Sequence, residues 1–371
     1  MLNEEQKRKA PHNRNGGLTI VPMPGFEGFA ERIKERIQTR SLKPTRDFPD
    51  GCITPVDIVV PKFGLRPSGE PFQQLGNAHV GGHNCFVITS GPGTYKMMMQ
   101  LILVIGYLAA RKASCITIIS GYFPLARSDK DEGELELALP AFLMIALKAE
   151  SQGLLKRIVC ADPHSDQMVM AADPGVITPV YLTLRILRFV VAEAMKASDQ
   201  ICLAFPDDTA AKRYEPAVAI LEKELGRSFP FISTAARRKS GNEKNIKYIV
   251  GDLDKMKDSI VIALDDETAT GGSQIKAADR FKKDFGAKEV WAAVTHGILC
   301  GNAPELFLAP DCPVDRLYIT DTIPAEGRED LQELIESGCL HVMSWVDDCA
   351  EVIYHLHWGS SSIRGIRGSR G

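Results

Sequence analysis

Residues 260–281 read IVIALDDETATGGSQIKAADRF. An apolar, β-branched run ends in two carboxylates, Asp265 and Asp266. A loop of small residues follows, Thr268-Ala269-Thr270-Gly271-Gly272-Ser273, and apolar residues then recur at helical spacing. The loop therefore joins a strand to a helix. Successive amides in a Gly-rich turn, the helix N-terminus and the Thr and Ser hydroxyls together suit a phosphate monoester. The carboxylates would repel that phosphate, so their role is to bind ribose hydroxyls or reach a divalent cation. The loop has no P-loop lysine and is no dinucleotide fingerprint.

Outward from this segment, short β-branched runs alternate with helical periods. Strands are predicted at 85–90, 115–120 and 156–162, with helices at 97–110 and 135–150 between them. The pattern restarts with a helix over 181–198, a strand at 200–207, a helix at 211–225 and a strand at 229–233. After a basic turn come a strand at 259–266, a helix at 273–287, and strands at 289–297 and 315–322, the last expected. A final helix spans 344–358. Such alternation predicts mostly parallel sheets covered on both faces. With 371 residues, two α/β units are expected, 1–180 and 181–338, followed by a C-terminal helix and loose tail at 339–371.

The charge balance, 44 Lys plus Arg against 47 Asp plus Glu, excludes a globally basic nucleic-acid binder while leaving room for a local phosphate pocket. The most apolar stretch, MMMQLILVIGYLAA at 97–110, stops at Arg111 and Lys112, short of the roughly 18 residues needed to cross a bilayer. It reads as a buried helix packed on a sheet. The polar start has no apolar signal core, so a cytoplasmic protein with a frayed N-terminus is expected. Nine cysteines form no CxxC pair and read as reduced, buried thiols.

The 265–273 loop resembles the ribose-5-phosphate loop of the type I phosphoribosyltransferase fold. Further segments resemble the phosphoribosyl pyrophosphate synthetases (ribose-phosphate diphosphokinases) in one order from about residue 46 to 357: FPDG (48–51), GYFPLARSDK (121–130), ADPHSDQ (161–167), FPDDTAAKR (205–213), THGILCGNA (295–303) and YITDTIP (318–324). The resemblance implies an α/β architecture of two tandem type I phosphoribosyltransferase-like domains with mostly parallel sheets, ATP-side first and ribose-5-phosphate side second. It implies transfer of the diphosphoryl group of ATP to the 1-hydroxyl of ribose 5-phosphate, with Mg2+, in a homo-oligomer built as a dimer or hexamer, and no nucleic-acid or membrane partner.

Site residues follow from the same resemblance. Phe48 and Asp50 belong to the adenine site, Arg127 to the ATP phosphates, and Asp129 to an adenine or ribose group. His164 and Asp207 are the candidate metal ligands. Asp265, Asp266, Thr268, Ala269, Thr270, Gly271, Gly272 and Ser273 hold the sugar phosphate. FPDDTAAKR matches the pyrophosphate-side loop. The basic turn AARRKSGN (235–242) corresponds to a catalytic loop that closes over ATP, with Arg237 and Arg238 as a transition-state clamp and Lys239 as a second candidate.

The pattern also breaks. Ala236 stands where the family has its catalytic lysine, Cys52 where a glutamate follows FPDG, and Ser128 where a glutamine follows the arginine. Thr209 and Ala210 replace paired glycines, and DEGELELALP (131–140) is acidic where the family is basic. Four readings stay open: an active diphosphokinase, one acting on another ribose-phosphate acceptor, a catalytically weak or inactive regulatory homologue that assembles with an active enzyme, and a phosphoribosyltransferase.

Overall fold

The structure is a computed structural model that describes residues 16–41, 54–76, 79–129, 137–206, 208–238 and 244–359. The chain divides into two units. One runs to Val180 and takes in the final helix from Trp345; the other spans Tyr181–Ser344.

The first unit begins with β1 (Leu18–Pro22), α1 (Glu27–Ser41) and β2 (Val56–Ile58), then a hairpin of β3 (Lys62–Leu65) and β4 (Pro71–Gln74). There follow β5 (Asn84–Thr89), α2 (Tyr95–Ala110), β6 (Cys115–Ser120), α3 (Leu139–Glu150), β7 (Leu155–Ala161), α4 (Asp166–Met170) and β8 (Ile177–Val180). The sheet order is β2-β1-β5-β6-β7-β8 and every pairing is parallel. Strands with both faces covered read as nearly continuous apolar runs, and Asn84–Thr89, apolar from Cys85 to Ile88, is buried at all six residues. Helix α2 starts at Thr94, whose hydroxyl accepts from the Met97 N–H at 3.3 Å, and buries Leu101, Val104, Ile105 and Leu108. The predicted apolar helix packs one face inward, while Tyr95, Met99 and Leu103 face outward.

The second unit contains α5 (Thr183–Ala197), β9 (Ile201–Phe205), α6 (Asp208–Leu225), β10 (Phe231–Arg238), β11 (Lys244–Gly251), β12 (Ile260–Thr268), α7 (Gly272–Phe285), β13 (Glu289–Gly297), α8 (Ala303–Leu308), β14 (Arg316–Thr320), α9 (Glu329–Glu336) and β15 (Leu340–Met343). Its order is β11-β10-β9-β12-β13-β14-β15, parallel except for the β10–β11 pair. Both faces of β12 are buried: Val261 joins a core with Phe281, Phe307, Leu317 and Leu331, while Ile260, Ile262 and Leu264 alternate to the other side.

Three predicted elements change. The basic turn at 235–242 is a strand as far as Arg238, because β10 continues past Ser233 to pair antiparallel with β11, with a register shift between Ala235 and Ala236. DRLYITDT does not hold the last strand: β15 pairs parallel with β14 at the sheet edge. The helix predicted at 211–225 begins earlier, at Asp208, inside the segment that resembles the pyrophosphate-side loop.

Helix α10 (Val346–Trp358) packs on α1 in the first unit. Arg36 grips Asp347 with two bonds of 2.5 and 2.8 Å, Arg40 meets Glu351 at 2.9 Å, and the Trp358 indole donates to Thr54 Oγ1 at 2.9 Å. The predicted final helix therefore has its partner in an N-terminal helix, α1.

The described cysteines form no disulfide. Burial pushes the Cys85 and Cys202 thiols up to about 12 and Cys339 to about 11, so these are packed, protonated sulfurs rather than nucleophiles. Among the described residues no helix is long and apolar enough to cross a membrane.

Candidate functional site

In an open parallel sheet, ligands bind beyond the strand C-termini where strand order reverses. In the second unit the chain proceeds from β9 outward to β10 and from β12 the opposite way to β13, so the reversal lies between β9 and β12. The quoted segment leaves the sheet at this point. A small cavity of ≈ 40 Å³ opens there, lined among others by Phe205, Pro206, Asp265, Ser273 and Gln274.

The turn itself is built from β12 and α7. The strand runs past both carboxylates to Thr268, two residues further than the pattern predicted. Gly271 then caps α7 with φ +75°, a left-handed conformation costly for other residues. A Cβ there would also lie 2.6 Å from the Phe307 ring, so two independent constraints select glycine. The carbonyls of the turn are drawn to one side: Thr268 O accepts from the Ile298 and Leu299 N–H groups at 2.9 and 3.2 Å, and Ala269 O from Cys300 at 2.9 Å. Thr270 and Ser273 are exposed, and the first amides of α7 have no partner within the helix. This collection of donors, open on one side at a helix start, suits an anion.

The acidic pair is held by its neighbours. Asp265 Oδ1 accepts from the Asp266 N–H at 2.9 Å, and its Oδ2 lies 3.4 Å from Gln274 Nε2. Gln274 also accepts from Thr268 Oγ1 at 3.1 Å, tying strand end to helix start. Asp266 Oδ2 meets Arg213 Nη1 at 2.8 Å, and Tyr214 OH donates to the Asp265 carbonyl at 2.7 Å. The sequence places Arg213 in a motif and in the predicted helix at 211–225 but gives it no role. Its partner Asp266 lies far along the chain, as does Asp265, 51 positions from Tyr214, so only the packing of α6 on β12 shows these contacts. Beyond β12, buried His296 lies 3.0 Å from Thr322 Oγ1, and Thr320 and Thr322 both donate to the Thr295 carbonyl, so the next strand ends are polar as well.

In the first unit the order reverses between β1 and β5. The loop after β5, Ser90-Gly-Pro-Gly-Thr94, was not singled out, though a Gly-Pro-Gly between strand and helix was its signal. Ser90 Oγ accepts from the Tyr122 N–H at 2.6 Å, fastening the start of the predicted nucleotide segment. Arg127 in that segment is exposed. Asp129 is half-buried, and its Oδ2 is buried with no hydrogen-bond partner among the described residues. His164 lies half-exposed on the turn between β7 and α4, after a buried Asp162 at φ +32°.

Phe48, Asp50, Asp207 and Lys239 lie outside the described residues. Arg237 and Arg238 have backbone positions at the end of β10, opposite Asn245 and Lys244; their side chains lie outside the described structure. Thus Asp265, Asp266, Thr268, Ala269, Thr270, Gly271, Gly272 and Ser273 lie together on one strand end, turn and helix start. Among the described residues no three His, Cys, Asp or Glu side chains converge on a metal position. A Mg2+ carried on polyphosphate needs only one or two protein carboxylates, and the orphaned Asp129 oxygen fits that demand.

No family model matches the chain. It is 28% identical over 301 residues to a ribose-phosphate pyrophosphokinase of Rhodopirellula baltica, covering 81% of this chain and 88% of the relative. It is 30% identical over 284 residues to the ribose-phosphate pyrophosphokinase of Campylobacter jejuni, covering 76% of this chain and 83% of that one. The chain belongs to the ribose-phosphate pyrophosphokinase family. Its fold agrees with that of the phosphoribosylpyrophosphate synthetase from Mycobacterium smegmatis, with a TM-score of 0.71 and 23% identity over 92% of this chain and 98% of that one. As a ribose-phosphate pyrophosphokinase family member, it has the expected α/β architecture with mostly parallel sheets.

Proposed function

We propose that the protein is a ribose-phosphate diphosphokinase, which transfers the diphosphoryl group of ATP to the 1-hydroxyl of ribose 5-phosphate. The C1 oxygen bonds to the β-phosphorus, the α–β bridge breaks, and AMP leaves while the hydroxyl proton is released. The observation that carries this reading is the 265–273 turn, with its carbonyls drawn aside, its helix start open and an acidic pair beside it. Family membership supports it.

In this reading the turn's amides and the Thr270 and Ser273 hydroxyls hold the 5-phosphate, while Asp265 and Asp266 serve the sugar side. Arg127 takes the ATP phosphates, and Phe48 and Asp50 serve the adenine. His164 and Asp207, with Asp129, would hold Mg2+, which neutralises the charge crowded between acceptor and polyphosphate. Little covalent chemistry remains for the protein, so Arg237, Arg238 and Lys239 act by spreading negative charge in the transition state. A cytoplasmic homo-oligomer, dimer or hexamer, goes with this reading, and the two units correspond to its ATP and ribose-phosphate sides.

The test is product identity. Purified protein given ATP, magnesium and ribose 5-phosphate is expected to release AMP rather than ADP. Ala236 in place of the family's lysine favours a second reading, a weak or inactive regulatory homologue that assembles with an active enzyme. Failure to release AMP above background with several phosphorylated ribose acceptors would select it.

A further inference from the structure

Arg328 lies just before α9, with its guanidinium directed at the segment that follows β13. Its Nη1 donates to the Ile298 carbonyl at 2.8 Å and its Nη2 to the Leu299 carbonyl at 2.5 Å. Asp330 holds the same fork, at 3.2 Å from Nε and 2.5 Å from Nη2. The amides of that segment face the other way: those of Ile298, Leu299 and Cys300 donate to the Thr268 and Ala269 carbonyls. Leu299 stands at φ +45°, a left-handed conformation that a non-glycine residue keeps only where its surroundings impose it.

We infer that Arg328 is a positioning residue for the phosphate-binding turn, acting through residues 298–300. The inference rests on the reading of 268–273 as the sugar-phosphate site. In a trans peptide the carbonyl of one residue and the N–H of the next point in opposite directions, and the peptides of the described residues are trans. Drawing the Thr268 carbonyl toward 298–299 therefore turns the Ala269 N–H away from that segment. Drawing the Ala269 carbonyl to Cys300 does the same for the Thr270 N–H. Both amides then point to the open side, with the first N–H groups of α7. If the 298–300 segment relaxed, a peptide flip would present a carbonyl oxygen to the phosphate, replacing attraction with repulsion. A planar fork anchored by a carboxylate can bind two successive carbonyls at once; a lysine ammonium has no such preset geometry.

The test is calorimetric titration of the full-length protein with ribose 5-phosphate and, separately, with ATP and magnesium. Arg328→Ala is expected to weaken ribose 5-phosphate binding roughly tenfold, the loss of about one net hydrogen bond's worth of order, and to leave ATP binding within about twofold. Arg328→Lys should recover only part of the loss. Should the alanine variant not fold, Asp330→Asn keeps the fork but removes its anchor and should weaken ribose 5-phosphate binding by about threefold without touching ATP. Wild-type affinity for the sugar phosphate in a folded Arg328→Ala or Asp330→Asn protein overturns the positioning role, as does an equal loss for both ligands, which would mark a general structural defect. If the unaltered protein binds ATP but no ribose 5-phosphate, the reading of the turn itself fails, and the role of Arg328 with it.

Discussion

Arg213 on α6 and Asp266 near the end of β12 meet at 2.8 Å, with side chains only 15% and 12% exposed. The pair stands at the strand end that leads into the candidate phosphate turn, and it sets the local charge there. With its cation, the carboxylate is balanced; without it, a negative group would stand in a partly desolvated position beside a bound anion.

Arg213→Ala is therefore expected to raise the KM for ribose 5-phosphate about tenfold with a smaller change in kcat, since ground-state and transition-state binding lose alike. Adding Asp266→Asn to that variant should restore part of the loss, because the uncompensated charge is gone. Steady-state AMP release at varied ribose 5-phosphate measures both. Strictly additive losses would show that the two residues do not act as a pair.

Gly271→Ala places a side chain at φ +75° and drives its Cβ against Phe307. The expected cost is about 2 kcal/mol of stability in the second unit, together with weakened ribose 5-phosphate binding. Denaturant unfolding and ligand titration check the two effects. A variant as stable and as avid as the parent would mean that the turn is not under this constraint.

Changing both Arg237 and Arg238 to Ala should lower kcat by a hundredfold or so while affecting ATP affinity far less, because charge at these positions is needed most as the diphosphoryl group transfers. Equal losses of nucleotide binding and turnover would make the two arginines ground-state contacts. The comparison requires single-turnover rates beside equilibrium ATP binding.

His357 is fully buried in α10, and burial lowers its pKa from 6.5 to about 4. The unfolded chain therefore takes up a proton on this group at a higher pH than the folded protein does. The contribution is complete above about pH 6.5 and is lost as pH falls toward 4, reaching about 3 kcal/mol. His357→Leu should flatten unfolding free energy over this interval relative to the parent. An unchanged slope, followed by urea unfolding at a series of pH values, would assign acid sensitivity elsewhere.

Where tertiary structure and sequence diverge, the reason lies in the range of the interactions. The run Ile260–Leu264, the carboxylates after it and the Gly-Gly opening of α7 declare themselves because strand, turn and helix start depend on residues a few positions apart. The same locality made 289–297 and 115–120 legible as strands. Helix α1 carries a local signal that the predicted strand–helix pattern omits, Phe29, Ala30, Ile33 and Ile37 at helical spacing. What range did hide is its fit to α10, which depends on pairs such as Arg36 with Asp347, 311 positions apart. The extension of β10 to Arg238 was hidden for a related reason: two adjacent arginines read as a turn until β11 supplies backbone partners.

The site shows the same division. Sequence by itself determined that a Gly-rich turn opening a helix follows an acidic strand end, because carboxylates, glycines and helix start are contiguous in the chain. Only the tertiary structure decided which way that turn's peptides face, through Ile298–Cys300 and Arg328, and which cation balances Asp266. Peptide orientation and charge pairing depend on groups brought together by the sheet order β9-β12-β13, and sheet order is a property of the whole packed unit rather than of any window of residues.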